Sequence, residues 1–189
     1  MIEIKVRQDQ LDWAKDYIKQ KGSIAKRGIY DGRKEFEQII GKMGEKVVAD
    51  SLGIKLDNKS GFDNGIDIEI GQYKIDVKTK VRRAKLMPWF AWNIPISQFR
   101  SKKYQNNVYL FCSYNDDTNW LTVAGFTTKI SFIKRCLFLP KGAYRVRQDG
   151  KKFPTNEGYP LEMMEIPQCA LYGLRNWQDL KWHAIGGTK

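Results

Sequence analysis

The chain reads as one mixed α/β domain, and three observations predict it. Apolar residues recur at helical spacing over the first third, the spacing then switches to strict alternation, and alternating and helical stretches interleave from there to about residue 135. A length of 189 residues suits a single domain with a sizeable core, and nothing in the composition marks a linker, an internal repeat or a low-complexity segment. The apolar share of 42% and aromatic share of 13% exclude a disordered basic tail, which would lack the apolar surface needed to offset chain ordering.

Leu11, Ala14, Tyr17 and Ile18 predict an amphipathic helix over about 8–20. Residues 21–33 carry Gly22, Gly28 and Gly32 among Lys21, Lys26, Arg27 and Arg33, and read as a solvated basic connection. Phe36, Ile39, Ile40, Met43, Val47, Val48 and Leu52 predict a longer helix over roughly 34–52, with Gly53 where a helix stop belongs. Beyond the polar loop 57–61, Ile66, Ile68 and Ile70 alternate with Asp67 and Glu69, and Tyr73, Ile75 and Val77 alternate with Lys74, Asp76 and Lys78. Gly71-Gln72 between them fits a type II′ turn, so the two runs form a β-hairpin. Pro88 to Ile94 then reads as a strand, Gln98 to Tyr104 as a short basic helix, Val108 to Ser113 and Trp120 to Gly125 as strands, and Thr128 to Arg135 as a helix. The C-terminal stretch, with Pro154, Pro160, Pro167 and Gly186-Gly187, is irregular.

Lys and Arg number 33 against 21 Asp and Glu, a net charge of +12 that points to an anionic partner, nucleic acid first. His183 is the one histidine, which removes histidine-rich metal sites and chemistries that need several imidazoles. Cys112, Cys136 and Cys169 are odd in number and form no CxxC pair, so a zinc ribbon or disulfide framework is not expected and a reducing, cytoplasmic setting is. No apolar leader follows Met1 and no apolar run is long enough to span a bilayer, so no membrane role is expected.

The turn fixes the hairpin register: Ile70 faces Tyr73, Glu69 faces Lys74, Ile68 faces Ile75, Asp67 faces Asp76 and Ile66 faces Val77, with apolar pairs on one face and charged pairs on the other. Two carboxylates directly opposite repel unless a cation sits between them. Lys78 shares that face and is placed to orient a water or to neutralise charge on a phosphorane-like transition state. Hard oxygen ligands without histidine or thiolate point to Mg2+ or Mn2+ and to phosphodiester hydrolysis. The bland alternative is an exposed, salt-bridged hairpin face, as Glu69 opposite Lys74 suggests for that pair.

Asp67, eight intervening residues and Asp76-Val77-Lys78 together resemble the motif of the PD-(D/E)XK nucleases. The helix bearing Gly41-Lys42-Met43-Gly44-Glu45 resembles the glutamate-bearing helix that many members place before it. Ile66 stands where the named pattern has proline, and aspartate stands where it allows either acid. The resemblance covers about residues 34–135 of a single domain 1–189, leaving an N-terminal helix and an irregular C-terminal extension outside it. It implies a restriction-endonuclease-like fold, a mixed central sheet flanked by helices, and a Mg2+- or Mn2+-dependent DNA endonuclease. Asp67 and Asp76 would ligate the metal, Lys78 would be the catalytic lysine, and Glu45 would be an accessory metal or water ligand. Gly41 and Gly44 would let the Glu45 helix approach the sheet, although a solvent-facing Glu45 fits the helical periodicity as well.

Lys80, Arg82, Arg83 and Lys85 prolong the lysine strand as expected contacts to a DNA backbone. Trp89, Phe90 and Trp92 follow, and read either as stacking aromatics or, more simply, as core. A second reading of the whole chain is a non-catalytic nucleic-acid-binding or assembly module on the same fold. A branch-specific form of the chemistry would work as a homodimer with two paired sites. Gly28-Ile29-Tyr30 lacks the partner tripeptide of another nuclease class, and the 57–69 loop has Lys59 at what would be a calcium-ligand position.

Overall fold

The computed structural model describes residues 1–20, 32–56, 65–146, 152–153 and 161–184. The basic connection expected over 21–33 and the polar loop 57–61 fall largely or wholly outside those residues, as does Gly28-Ile29-Tyr30.

The chain opens with strand β1 (Ile2–Lys5) and helix α1 (Gln8–Gln20). The Gln10 side chain accepts the Arg7 N–H at 3.0 Å, half of a capping box at the start of α1. Helix α2 (Gly32–Leu52) matches the predicted long helix and stops where expected: Gly53 has φ +73°, its N–H donates to Asp50, and the Ile54 N–H donates to Ala49, the paired bonds of a Schellman motif. Strands β2 (Ile68–Ile70) and β3 (Tyr73–Val81) form the expected hairpin, with Ile70 opposite Tyr73, Glu69 opposite Lys74 and Ile68 opposite Ile75. Gly71 has φ +55° while Gln72 stays at negative φ, the φ signature of a II′ turn. The ladder ends at Ile68, two residues earlier than the periodicity predicts.

Strand β4 (Ala91–Pro95), the five-residue helix α3 (Ile96–Arg100), strands β5 (Val108–Asn115) and β6 (Trp120–Thr128) and helix α4 (Lys129–Arg135) follow, each within a few residues of its predicted place. The Thr128 hydroxyl caps α4 by accepting the Ser131 N–H at 3.1 Å. Beyond α4, in the stretch whose sequence is irregular, the described residues form β7 (Leu137–Leu139), the two-residue strands β8 (Arg145–Val146) and β9 (Lys152–Phe153), β10 (Met163–Pro167) and helix α5 (Trp177–Ala184); β1 likewise has no counterpart among the predicted elements.

The main sheet runs β1-β6-β5-β3-β2, antiparallel except for the parallel pair β3 and β5, whose crossover carries β4 and α3. A helix, an antiparallel hairpin and a parallel crossover therefore succeed one another, a mixed sheet with flanking helices. One face of the sheet, with Ile75, Val77, Val108, Leu110, Cys112 and Val123, buries against Ala14 of α1 and Met43, Val47 and Val48 of α2. The other face, with Tyr109 and Phe111 of β5, buries against a smaller antiparallel sheet, β4-β10-β7, through Trp92, Ile94, Met164 and Ile166. β5 is buried on both faces, as a central strand must be. The charged side of the hairpin is therefore partly interior, because the small sheet covers the face onto which Asp76, Lys78 and Lys80 project beside Tyr109 and Phe111. Among the described residues no helix is long and apolar enough to cross a membrane.

Candidate active site

Asp67 sits just beyond the end of β2, and two glycines bring the neighbouring chain onto it. Gly65 has φ +72°, a backbone that L side chains rarely adopt, and a Cβ there would lie 2.3 Å from the Tyr104 ring. On α2, a Cβ at Gly44 would fall 1.9 Å from Thr79 Oγ1, so the helix crosses β3 at a distance only glycine permits. Gly41, the other glycine expected to allow this approach, has open space at its Cβ position.

The Asp67 main chain departs from the predicted register. Its N–H donates to Ile75 O at 2.8 Å, one residue out of step with the ladder. Its carboxylate Oδ2 accepts the Val77 N–H at 2.8 Å, the place that a continuing β2 main chain would have filled. Asp67 thus lies in the plane of the sheet, hydrogen-bonded to the residue between Asp76 and Lys78. Its side chain is only 5% exposed and that of Asp76 only 4%.

Each acidic group has a lysine. Lys78 Nζ is 2.7 Å from Asp76 Oδ1. Lys42 Nζ is 2.6 Å from Glu45 Oε2 and 4.0 Å from Asp67 Oδ1, and it stands 5.2 Å from the centre of the Tyr17 ring. Glu45 comes from α2 on one face of the sheet, Asp76 and Lys78 project from the other, and Asp67 lies between them at the edge. The field of Asp76 reaches further: with burial as the main cause, it helps push the Tyr109 phenol up, and it opposes the lowering that burial imposes on the Lys129 ammonium. Lys42 and Lys129 were given no role from sequence. Lys42 carried a signal, its i, i+3 spacing to Glu45, whereas nothing local links Lys129 to residue 76.

Among the described residues no group of three or more His, Cys, Asp or Glu side chains is gathered as a metal site. Asp67 and Asp76 carry hard oxygen donors, the donor type Mg2+ and Mn2+ take, and Mg2+ is commonly held by one or two carboxylates with waters and substrate phosphate completing its shell.

The basic run after the site is largely engaged within the chain. Lys80 donates to Asn93 Oδ1 and lies 6.0 Å from the centre of the Trp92 ring, and burial, with the nearby Arg82 charge, pushes its ammonium down to about 7. Arg82 donates to Ala91 O at 2.6 Å and covers Trp92 at 4.2 Å and Phe90 at 5.0 Å; burial lowers it to about 10, still charged at neutral pH. Arg83 grips Asp116 with two bonds of 2.9 Å, and Lys85 is exposed. Trp92 is fully buried, as the core reading expects, while Trp89 is 63% exposed. No protein-family model, curated protein or solved structure matches this chain.

Proposed function

We propose that the protein is a divalent-metal-dependent nuclease that hydrolyses DNA phosphodiester bonds, working as an endonuclease on a restriction-endonuclease-like core. The observation that carries this reading is the bond from Val77 N–H to Asp67 Oδ2, which ties one buried carboxylate to the dipeptide step joining Asp76 to Lys78. The succession of helix, hairpin and parallel crossover supports the same fold family, and the net charge of +12 suits a polyanionic substrate.

Asp67 and Asp76 would hold the cation, which would supply Lewis-acid polarisation of the scissile phosphate and a more acidic bound water. Asp67 is preoriented by its main-chain bond, so its charge needs little reorganisation. Lys78, steered by Asp76, presents an ammonium that orients the attacking water or neutralises charge developing on the phosphoryl oxygens. Glu45, on the helix side of Asp67, would serve as an accessory ligand.

A second reading has an observation of its own. Asp76 and Glu45 each sit against a lysine within the chain, as they would in a nucleic-acid-binding module without turnover. Supercoiled plasmid incubated with Mg2+, Mn2+ or EDTA separates the two. The nuclease nicks only with metal, and Asp76→Asn or Lys78→Met lowers the rate roughly 100-fold or more. Equal cutting by both variants, or salt-sensitive binding without cleavage of duplex, branched or single-stranded DNA, removes the catalytic assignment.

A further inference from the structure

We propose that Lys42 is a tethered counter-cation of this site, holding Glu45 and Asp67 in the metal-free protein and competing with the divalent cation for them. The inference rests on the metal-dependent reading above and deepens it by naming what the incoming ion must displace.

Lys42 Nζ is within 2.6 Å of Glu45, on the helix side of the site, and 4.0 Å of Asp67, at the edge of the sheet. The three side chains are 21%, 13% and 5% exposed, so water screens their charges weakly. Two anions brought this near one another by helix packing repel unless a cation stands with them, and Lys42 supplies one from the same helix. Its position is held: the Tyr17 ring of α1 offers its π-face, and the i, i+3 spacing points Lys42 and Glu45 along one face of α2. Gly44 lets that helix lie close against β3, the approach that brings Lys42 within reach of Asp67. A divalent cation entering at Asp67 therefore meets a positive charge already in contact range. With Lys42 swung out, Glu45 Oε2 would be open to the cation as a further oxygen ligand. Lys78 does not duplicate this role, because its partner is Asp76 on the opposite face.

Lys42 is thus a positioning residue whose removal should tighten metal binding, an outcome that simple structural damage does not produce. The test measures Mn2+ affinity of the full chain by calorimetry and by the loss of the free-ion EPR signal, for wild type, Lys42→Met, Lys42→Gln and Lys42→Arg. Lys42→Met and Lys42→Gln should bind Mn2+ about tenfold more tightly than wild type, the equivalent of ~1.4 kcal/mol, and Lys42→Arg should stay near wild type. Thermal melting gives a second readout: the two neutral variants should melt below wild type in EDTA and recover that difference in excess Mn2+, since a bound ion stabilises the folded state. Lys42→Gln keeps a hydrogen-bond donor toward Glu45, so it still reports if Lys42→Met does not fold. Wild-type binding with equal or weaker binding by the neutral variants overturns the role of Lys42 alone. A wild-type protein that neither binds Mn2+ nor cuts DNA overturns the nuclease reading and this inference with it.

Discussion

Replacing Lys80 with Met removes a cation that the fold keeps between its two sheets. The ammonium donates to Asn93 and lies over Trp92, and burial lowers its pKa from 10.5 to about 7. Below about 7 the folded and unfolded chains both hold the proton, so the native state bears the whole cost of the buried charge. As pH rises through about 7 the folded amine releases its proton while the unfolded one keeps it up to 10.5, so the unfolded chain binds more protons across that window. Stability therefore rises with pH there, by at most ~1.4 kcal/mol per unit. Between about pH 6 and pH 9.5 the full gain would be roughly 3 kcal/mol, and partial exposure of the lysine stem reduces it to ~2 kcal/mol. Lys80→Met, which has no such proton to lose, should be stabilised relative to wild type at the lower pH and lose most of that advantage at the higher one. Urea unfolding followed by tryptophan fluorescence at the two pH values measures the difference, provided the dependence on urea stays unchanged. A variant whose stability relative to wild type is the same at both values would refute a buried, titrating Lys80.

Three further predictions concern the architecture of the site and its surroundings. Asp67→Asn keeps an oxygen to accept the Val77 N–H and should stay within about 1 kcal/mol of wild-type stability, whereas Asp67→Ala should cost about 1–3 kcal/mol; both should abolish metal-dependent cleavage, and equal stability of the two variants would discount the main-chain bond. Gly44→Ala should destabilise by about 1–3 kcal/mol even though alanine favours a helix, because its Cβ would meet Thr79 Oγ1, and Thr79→Ala should restore part of the loss in a double-mutant cycle. Thr128→Ala should cost about 1 kcal/mol by thermal melting, as expected for an N-cap that accepts the Ser131 N–H.

The elements whose signal is local were legible in the sequence. The amphipathic period of α2 with its Gly53 stop, and the Gly71-Gln72 turn with the first three hairpin pairs, follow from residues within one or two turns of each other. The small sheet was not legible, because it exists only through long-range pairing: Met163 meets both Pro95 and Leu139, and neither short strand announces its partner. Missing it had a consequence for the site. Alternation correctly put Asp76, Lys78 and Lys80 on one face, but whether that face meets water depends on Trp92, Ile94 and Ile166 arriving from elsewhere in the chain. The same gap explains why the sequence, which offers Lys80 and Arg82 as phosphate contacts, gives no sign of their bonds to Asn93 and Ala91 O of β4. β1 went unread although Ile2 and Ile4 alternate with Glu3 and Lys5, because four residues pair stably only when β6 is there to receive them.

The shortness of β2 decides the geometry at Asp67. Had the strand continued in register, Ile66 would have faced Val77, its main chain would have taken the Val77 N–H, and Asp67 would have stood opposite Asp76 on the covered face. The chain instead leaves the ladder at Asp67, after the left-handed turn at Gly65, and the carboxylate fills the vacated hydrogen bond. A side chain that replaces a ladder bond lies within the sheet plane, at the one height from which it can face Lys42 and Glu45 of the helix layer while remaining bonded to the strand that carries Asp76 and Lys78. The spacing of the acidic residues in sequence states their number and type. It is the early end of β2 that makes Asp67 the hinge between the two faces.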